Sequence, residues 1–231
     1  AGILHISQVS ANGLAALSSA YSILDERGTN AQAVSAANVS FAAGGDIGQA
    51  SLPMTIRTAT NGLVTKANAA GSVYLSAPWG VLTVKDAQAT TGQISLNGSA
   101  YGLTMTGTMT SAQGMTLTGG LNDVNFSSQA NLDNLNGSLV IKGTTIKMAD
   151  GAKIDGSTGT MVLSATGDIT LTGLSSANTT RSAILVSTTA GAVRDAGDSN
   201  AYDMKVTSAT GGIQVTAQGD VGDSTLAANA A

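Results

Sequence analysis

Through the middle of the chain, apolar and polar residues alternate in short bursts, each led by a glycine. The bursts are Gly71-Ser-Val-Tyr-Leu75, Gly92-Gln-Ile-Ser-Leu96, Gly114-Met-Thr-Leu-Thr118, Gly137-Ser-Leu-Val-Ile141 and Gly159-Thr-Met-Val-Leu163. Their glycines stand 21, 22, 23 and 22 residues apart. A second series lies between them: Val81-Leu-Thr-Val84, Leu103-Thr-Met105, Val124-Asn-Phe126, Ile146-Lys-Met148 and Ile169-Thr-Leu171. Alternation with a period of two marks a strand with one face buried. Each period therefore predicts at least two short strands, with Gly, Asn, Asp and Ser at corners where positive φ is tolerated.

A coil of about 22 residues cannot bury its own apolar side, but coils stacked in parallel register can. The predicted fold is all-β: a β-solenoid running continuously over residues 1–231, about 22 residues per coil. Leu75, Leu96, Leu117, Ile141 and Leu163 point inward, and Gly71, Gly92, Gly114, Gly137 and Gly159 mark corners. At about 4.8 Å per coil this predicts about ten coils and a rod of about 50 Å. A β-sandwich of short strands gives no reason for one period held over five units.

A longer echo joins the two ends. Asp25-Glu-Arg-Gly-Thr-Asn30-Ala and Val39–Leu52 resemble Asp195-Ala-Gly-Asp-Ser-Asn200-Ala and Ile213–Leu226. Residues 2–52 and 167–226 thus read as partial copies of a super-repeat near 170 residues long. The echo settles one ambiguity. Leu14, Leu17, Tyr21 and Leu24 are spaced like a helix face, with Asn12 and Gly28 as candidate caps. Their counterpart, 183–193, is β-branched without helical period, so both stretches are predicted as strands. A super-repeat cut mid-unit, with no initiator Met and no capping coil, reads as a window on a longer protein; a subunit stacking end to end into a fibre is the alternative.

Composition sharpens the cross-section. Charged residues are 10%, against about 25% in ordinary domains. Aromatics are 3%, while Val, Ile, Leu and Met make up 54 of 231 residues. A narrow aliphatic core fits these figures better than a thick rounded one. Mean hydropathy of +0.19 with a net charge of −4 excludes disorder. The absence of Cys excludes a disulfide scaffold, and a pI near 4.7 argues against nucleic-acid partners. No run of about 18 apolar residues exists, so no helical membrane span is expected in this segment.

Gly45-Asp-Ile-Gly48, Pro53-Met-Thr-Ile56, Gly62-Leu63 and Gly71-Ser-Val-Tyr-Leu75 together resemble the recurring segment of filamentous-haemagglutinin-like adhesins; Gly219-Asp-Val-Gly222 is a similar copy. These are giant exoproteins, many exported by two-partner systems of Gram-negative bacteria. The resemblance implies a right-handed parallel β-helix, an extracellular or cell-surface location, and roles in adhesion, aggregation or biofilm cohesion. Partners implied are neighbouring copies and matrix or host glycans. The Asn-Pro-Asn-Gly stretch of the family's secretion domain is absent, which places that domain outside this window or implies another export route. Lack of Cys suits a long passenger that crosses a periplasm and outer membrane without disulfides to lock it early; the simpler alternative is that small β-solenoids seldom need Cys.

Chemistry is sparse. His5 is the only His, so a Ser–His–Asp triad would depend on it; a solvent-facing strand residue is the simpler reading. Some β-helical enzymes act on polysaccharides through clustered acids, and the candidates are Asp150 with Asp155, and the group Asp195, Asp198 and Asp203 near Arg194. Asp at such places commonly makes Asx-turns. Asp195, Asp198 and Asp203 are also the weak candidates for Ca²⁺, without EF-hand spacing; Asn131-Leu-Asp133 fails because Leu135 takes a ligand place. Gly44-Gly-Asp-Ile-Gly48 lacks the helix and Lys of a phosphate loop. The pairs Thr104/Thr106, Thr116/Thr118 and Thr170/Thr172 fall on different strand series, unlike the single ranked face of ice binders. Tyr74, Trp79 and Tyr101 are candidates for stacking on sugars or for packing at corners. The expectation is a structural rod segment of a secreted bacterial surface protein, not an enzyme, with no cofactor. A self-assembling fibre or sheath subunit is the alternative, and a β-helical polysaccharide-active enzyme the lower one.

Overall fold

The computed structural model describes residues 2–27, 32–59, 62–197 and 202–222. All regular structure among them is strand, and the coils form a parallel β-solenoid of about eight turns. Each central coil carries three strands, so three ladders run through the central and later coils.

The first ladder holds the glycine-led series. Val73–Ser76, Ile94–Asn97, Met115–Thr118, Leu139–Gly143, Met161–Ala165, Ile184–Thr188 and Ile213–Thr216 pair in sequence, all parallel. Register places Leu75, Leu96, Leu117, Ile141, Leu163 and Val186 in one column, and all of them are buried. The second ladder stacks Leu82–Val84, Leu103–Met105, Val124–Phe126, Ile146–Met148, Ile169–Leu171 and Val193–Asp195. Both predicted series are therefore present, with the predicted inward residues.

The third ladder is new. Ala87–Ala89, Thr108–Ser111, Asn131–Asn134, Lys153–Asp155, Leu174–Ser176 and Met204–Val206 stack in it. Only its first inward column is aliphatic in most coils: Met109, Leu132, Ile154 and Leu174. The second inward position carries Ala89, Ser111, Asn134 and Ser176, all buried. Each polar one anchors the corner that follows. Ser111 Oγ donates to the Gly114 carbonyl (2.6 Å) and accepts from the Gly114 N–H (3.2 Å). Asn134 Nδ2 donates to the Gly137 carbonyl at 2.9 Å. Bonding of this kind offsets burial of a polar group, fully for Ser111 and by one end for Asn134, whose Oδ1 is buried without a partner among the described residues, and these bonds fix the turn into the first ladder.

The corners are bonded between coils as well. Ser22 Oγ accepts the Asp46 N–H (3.0 Å), Asp46 Oδ1 the Ser72 N–H (2.6 Å), and Ser72 Oγ the Gln93 N–H (3.2 Å). Asp86 and Asp168 do the same elsewhere, accepting from Thr108 (3.0 Å) and Ala192 (2.8 Å). Glycine has two distinct uses at these corners. Gly137 holds a φ of +76°, where a side chain is strained. Gly159 has no positive φ; a methyl there would be driven into the Gly137 carbonyl oxygen of the coil below. Close stacking of backbones, not φ alone, explains the leading glycine.

Toward its amino-terminal end the stack changes form. Val9–Ser19, predicted as strand against its helical spacing, pairs with Val34–Ala43, which pairs with Val64–Ala69. These are long strands. Val64–Ala69 alone faces both Leu82–Val84 and Ala87–Ala89, so two ladders merge into one there. Beside them, Leu4–Ile6 pairs Ile23–Asp25, and Ile47 bridges Ile23 to Val73. The chain then makes an excursion over 48–53, closed by two backbone bonds between Gln49 and Leu52 (3.0 and 3.1 Å), before Met54 meets Leu75. Such longer coils at both ends, including the step from Ile184 to Ile213, are why the chain makes about eight turns rather than the ten expected from the central period.

The two Gly-Asp-aliphatic-Gly segments make one local turn in two places. Asp46 O accepts the Ile23 N–H and Gly48 N–H returns to Ile23 O, both at 2.8 Å. Asp220 O and Gly222 N–H hold Val193 in the same way, at 2.9 and 2.8 Å. Ile23 belongs beside the first ladder and Val193 to the second.

Candidate functional surface

His5 lies on the exposed face of Leu4–Ile6, its side chain 48% exposed, with Nδ1 3.1 Å from Glu26 Oε1. Ser7 Oγ donates to the other oxygen, Oε2, at 3.1 Å. The carboxylate stands between hydroxyl and imidazole. A nucleophilic serine needs the imidazole next to it to take its proton, so this order does not activate Ser7. The solvent-facing strand reading of His5 holds.

The candidate acids separate. Asp155 is opposite Asp133 on the outward column of the third ladder, not opposed to Asp150, which is exposed in a turn. One oxygen of Asp155 is taken by the Ser157 N–H at 2.8 Å, an Asx-turn that sets Ser157 at positive φ. Asp195 makes the same turn with the Gly197 N–H, at 2.8 Å. Asp203 is half-buried, and its carbonyl accepts the Leu174 N–H. Asp198 lies outside the described residues. Among the described residues no three His, Cys, Asp or Glu come together as metal ligands. The Lys147 ammonium, 2.8 Å away, holds the Asp123 carboxyl below the usual carboxylate range.

Threonine pairs divide as expected. Thr104 and Thr170 stand on the second ladder and Thr116 on the first, while Thr172 is buried. The outward column of the second ladder reads Thr83, Thr104, Asn125, Lys147, Thr170, Arg194. This mixed rank is not a uniform face.

Of the aromatics, Phe41 and Phe126 are buried, and Tyr21, Trp79, Tyr101 and Tyr202 are exposed. Two of the exposed rings line grooves. Tyr202 lies 5.9 Å under Lys205 Nζ, beside a 360 Å³ hollow bordered by Lys153, Asp155, Gly173 and Ser175. Glycine at 173 opens that hollow, because its outward neighbour on the rung below is Lys153. Trp79 borders a wider notch of 710 Å³ with Arg57, Thr58, Gly80, Val81 and Thr83. Sequence flagged Trp79 through Pro78; nothing in the local pattern pointed to Arg57, which the fold brings across from the preceding coil.

No described helix is long and apolar enough to cross a membrane, a finding that does not bear on β-barrels. Compared with known proteins, the chain matches no family model, no curated protein and no solved structure. It is a parallel β-solenoid of about eight turns, as β-helical repeat proteins are.

Proposed function

We propose that this chain is a structural rod segment of a large secreted bacterial surface exoprotein of the filamentous-haemagglutinin-like kind, serving adhesion, aggregation or biofilm cohesion. The observation that carries this reading is the use of polar side chains. The acids and hydroxyls with geometry worth testing are spent on turns and on bonds between coils, as Asp46, Asp86, Asp155, Asp168 and Asp195 are. A surface so committed supports a rigid scaffold that presents contacts to neighbours or glycans. Location at the cell surface and lack of catalysis belong to the same proposal, as does the absence of a cofactor.

Display of residues 1–231 on a bacterium stripped of its own adhesins tests it. Increased aggregation or surface attachment, with the segment accessible to added protease, is the expected result. Surface display with no change in either behaviour would sink the adhesive role.

A second reading, a self-assembling fibre subunit, draws on one strand. Val9–Ser19 pairs along one edge with Val34–Ala43 and has no partner on its other edge among the described residues. Such an edge accepts a further strand, from more of the same chain or from another copy. Electron micrographs of the purified 231-residue chain separate the two: filaments favour the subunit, and single short rods the segment.

A further inference from the structure

The notch beside Trp79 exists because a ladder is interrupted. Met54 and Thr55 pair with Leu75 and Ser76. Continued in register, Arg57 would face Pro78 and Thr58 would face Trp79. Proline has no N–H to extend the ladder, and the chain turns away at Trp79 and Gly80. Ile56, Arg57 and Thr58 pair on one side with Val34–Ala43 and have no strand on the other among the described residues. The space left is 710 Å³, within the range of about 300–1,000 Å³ typical of small-ligand pockets.

Its walls are chemically distinctive for this protein. Arg57 is exposed, and its guanidinium makes no hydrogen bond or ion pair among the described residues. Among the described residues no acidic side chain borders the notch, although the chain as a whole carries −4. Trp79, 37% exposed, offers a flat apolar ring at the same opening. A guanidinium is a rigid fork that fits a planar carboxylate through two parallel bonds. An indole stacks on the C–H face of a ring without much loss of side-chain freedom. Arginine and tryptophan are also the residues most often found at binding hot spots.

We propose that the Arg57–Trp79 notch binds a uronate residue of an acidic polysaccharide. The sugar ring stacks on Trp79 and its carboxylate sits in the Arg57 fork. Thr58 and Thr83 supply hydroxyls at the rim. One cation serves one planar anion, so a singly charged uronate fits better than a multiply sulfated chain, which would need several cations. The inference rests on the rod reading only in taking extracellular glycan as what this surface meets.

Trp79 is the only tryptophan in the chain, so its emission reports on the notch directly. Purified chain is titrated with tetramers of galacturonate, of mannuronate, of neutral maltose-type glucose, and with a heparin-derived tetrasaccharide. A saturable emission change with at least one uronate tetramer, absent with the neutral one, is expected. Arg57→Gln should weaken it about tenfold or more, and Arg57→Lys should restore only part, because charge returns without the fork. Trp79→Phe, followed by calorimetry, should keep weakened binding and an unchanged far-ultraviolet spectrum. No response to any uronate up to about 10 mM, an equal response to the neutral sugar, or indifference to Arg57→Gln overturns the site. Tighter binding of the sulfated probe overturns the carboxylate assignment. None of these failures touches the rod reading, which surface display tests independently.

Discussion

Leu117 has no exposed surface and sits between Leu96 and Ile141 on the rungs either side. Truncation to Ala removes packing on both neighbours and is expected to cost about 2–5 kcal/mol. Leu117→Asp is worse, since a carboxylate there has no partner; loss of a cooperative thermal transition is the expected outcome, and a wild-type melt would show that Leu117 is not inward. At the surface the scale is smaller. Asp123 and Lys147 are both partly solvated, so their pair contributes under about 1 kcal/mol. Because Lys147 lowers the carboxyl in the folded state, the contribution is present above the ordinary Asp value near about 3.9 and is lost as pH falls through the lower folded value. Urea midpoints of wild type and Lys147→Met should differ slightly at neutral pH and converge in strong acid. A difference that persists in acid would assign the loss to packing of the lysine stem.

At the scale of elements, the corner bonds are testable one rung at a time. Asp46→Ala removes the acceptor for the Ser72 N–H and is expected to cost about 1–2 kcal/mol, whereas Asp46→Asn keeps an oxygen there and should cost less. Hydrogen exchange at the Ser72 amide is the direct measure; equal exchange in wild type and the Ala variant would remove the bond from the account. The same elements show what sequence makes legible. The first two ladders announce themselves because aliphatic and polar residues alternate in them. The third stays hidden because Ala87 and Ala89, then Ser111, Asn134 and Ser176, occupy inward places that aliphatics fill elsewhere. Corner glycines are visible as a beat, but the reason for Gly159 is a backbone on the next coil that only the stack supplies. Asx-turns at Asp155 and Asp195 follow from residue type. The pairing of Asp155 with Asp133, and the meeting of Arg57 and Trp79 at one notch, depend on register between coils, which local pattern does not encode.

For the whole molecule, each coil touches only its neighbours, so stability is a sum of local stackings instead of one central core. Inward residues of the strand Ile213–Thr216 are half-buried, while those of Met161–Ala165 are fully buried. Amide exchange in the 231-residue chain should therefore be graded, slowest across Ile94–Asn97 to Met161–Ala165 and faster by about 100-fold toward Leu4–Ile6 and Ile213–Thr216. Uniform protection would mean a single all-or-none unit. The parallel ladders also set how the rod yields to load. Their hydrogen bonds lie along its axis, so tension on the two ends opens one rung before it reaches the next. A coil of about 22 residues adds about 4.8 Å to the folded length but pays out about 70 Å once drawn straight. The stack is thus stiff in compression and extensible under pull; in the proposed surface role it would lengthen in steps and absorb work before any attachment at its far end must let go.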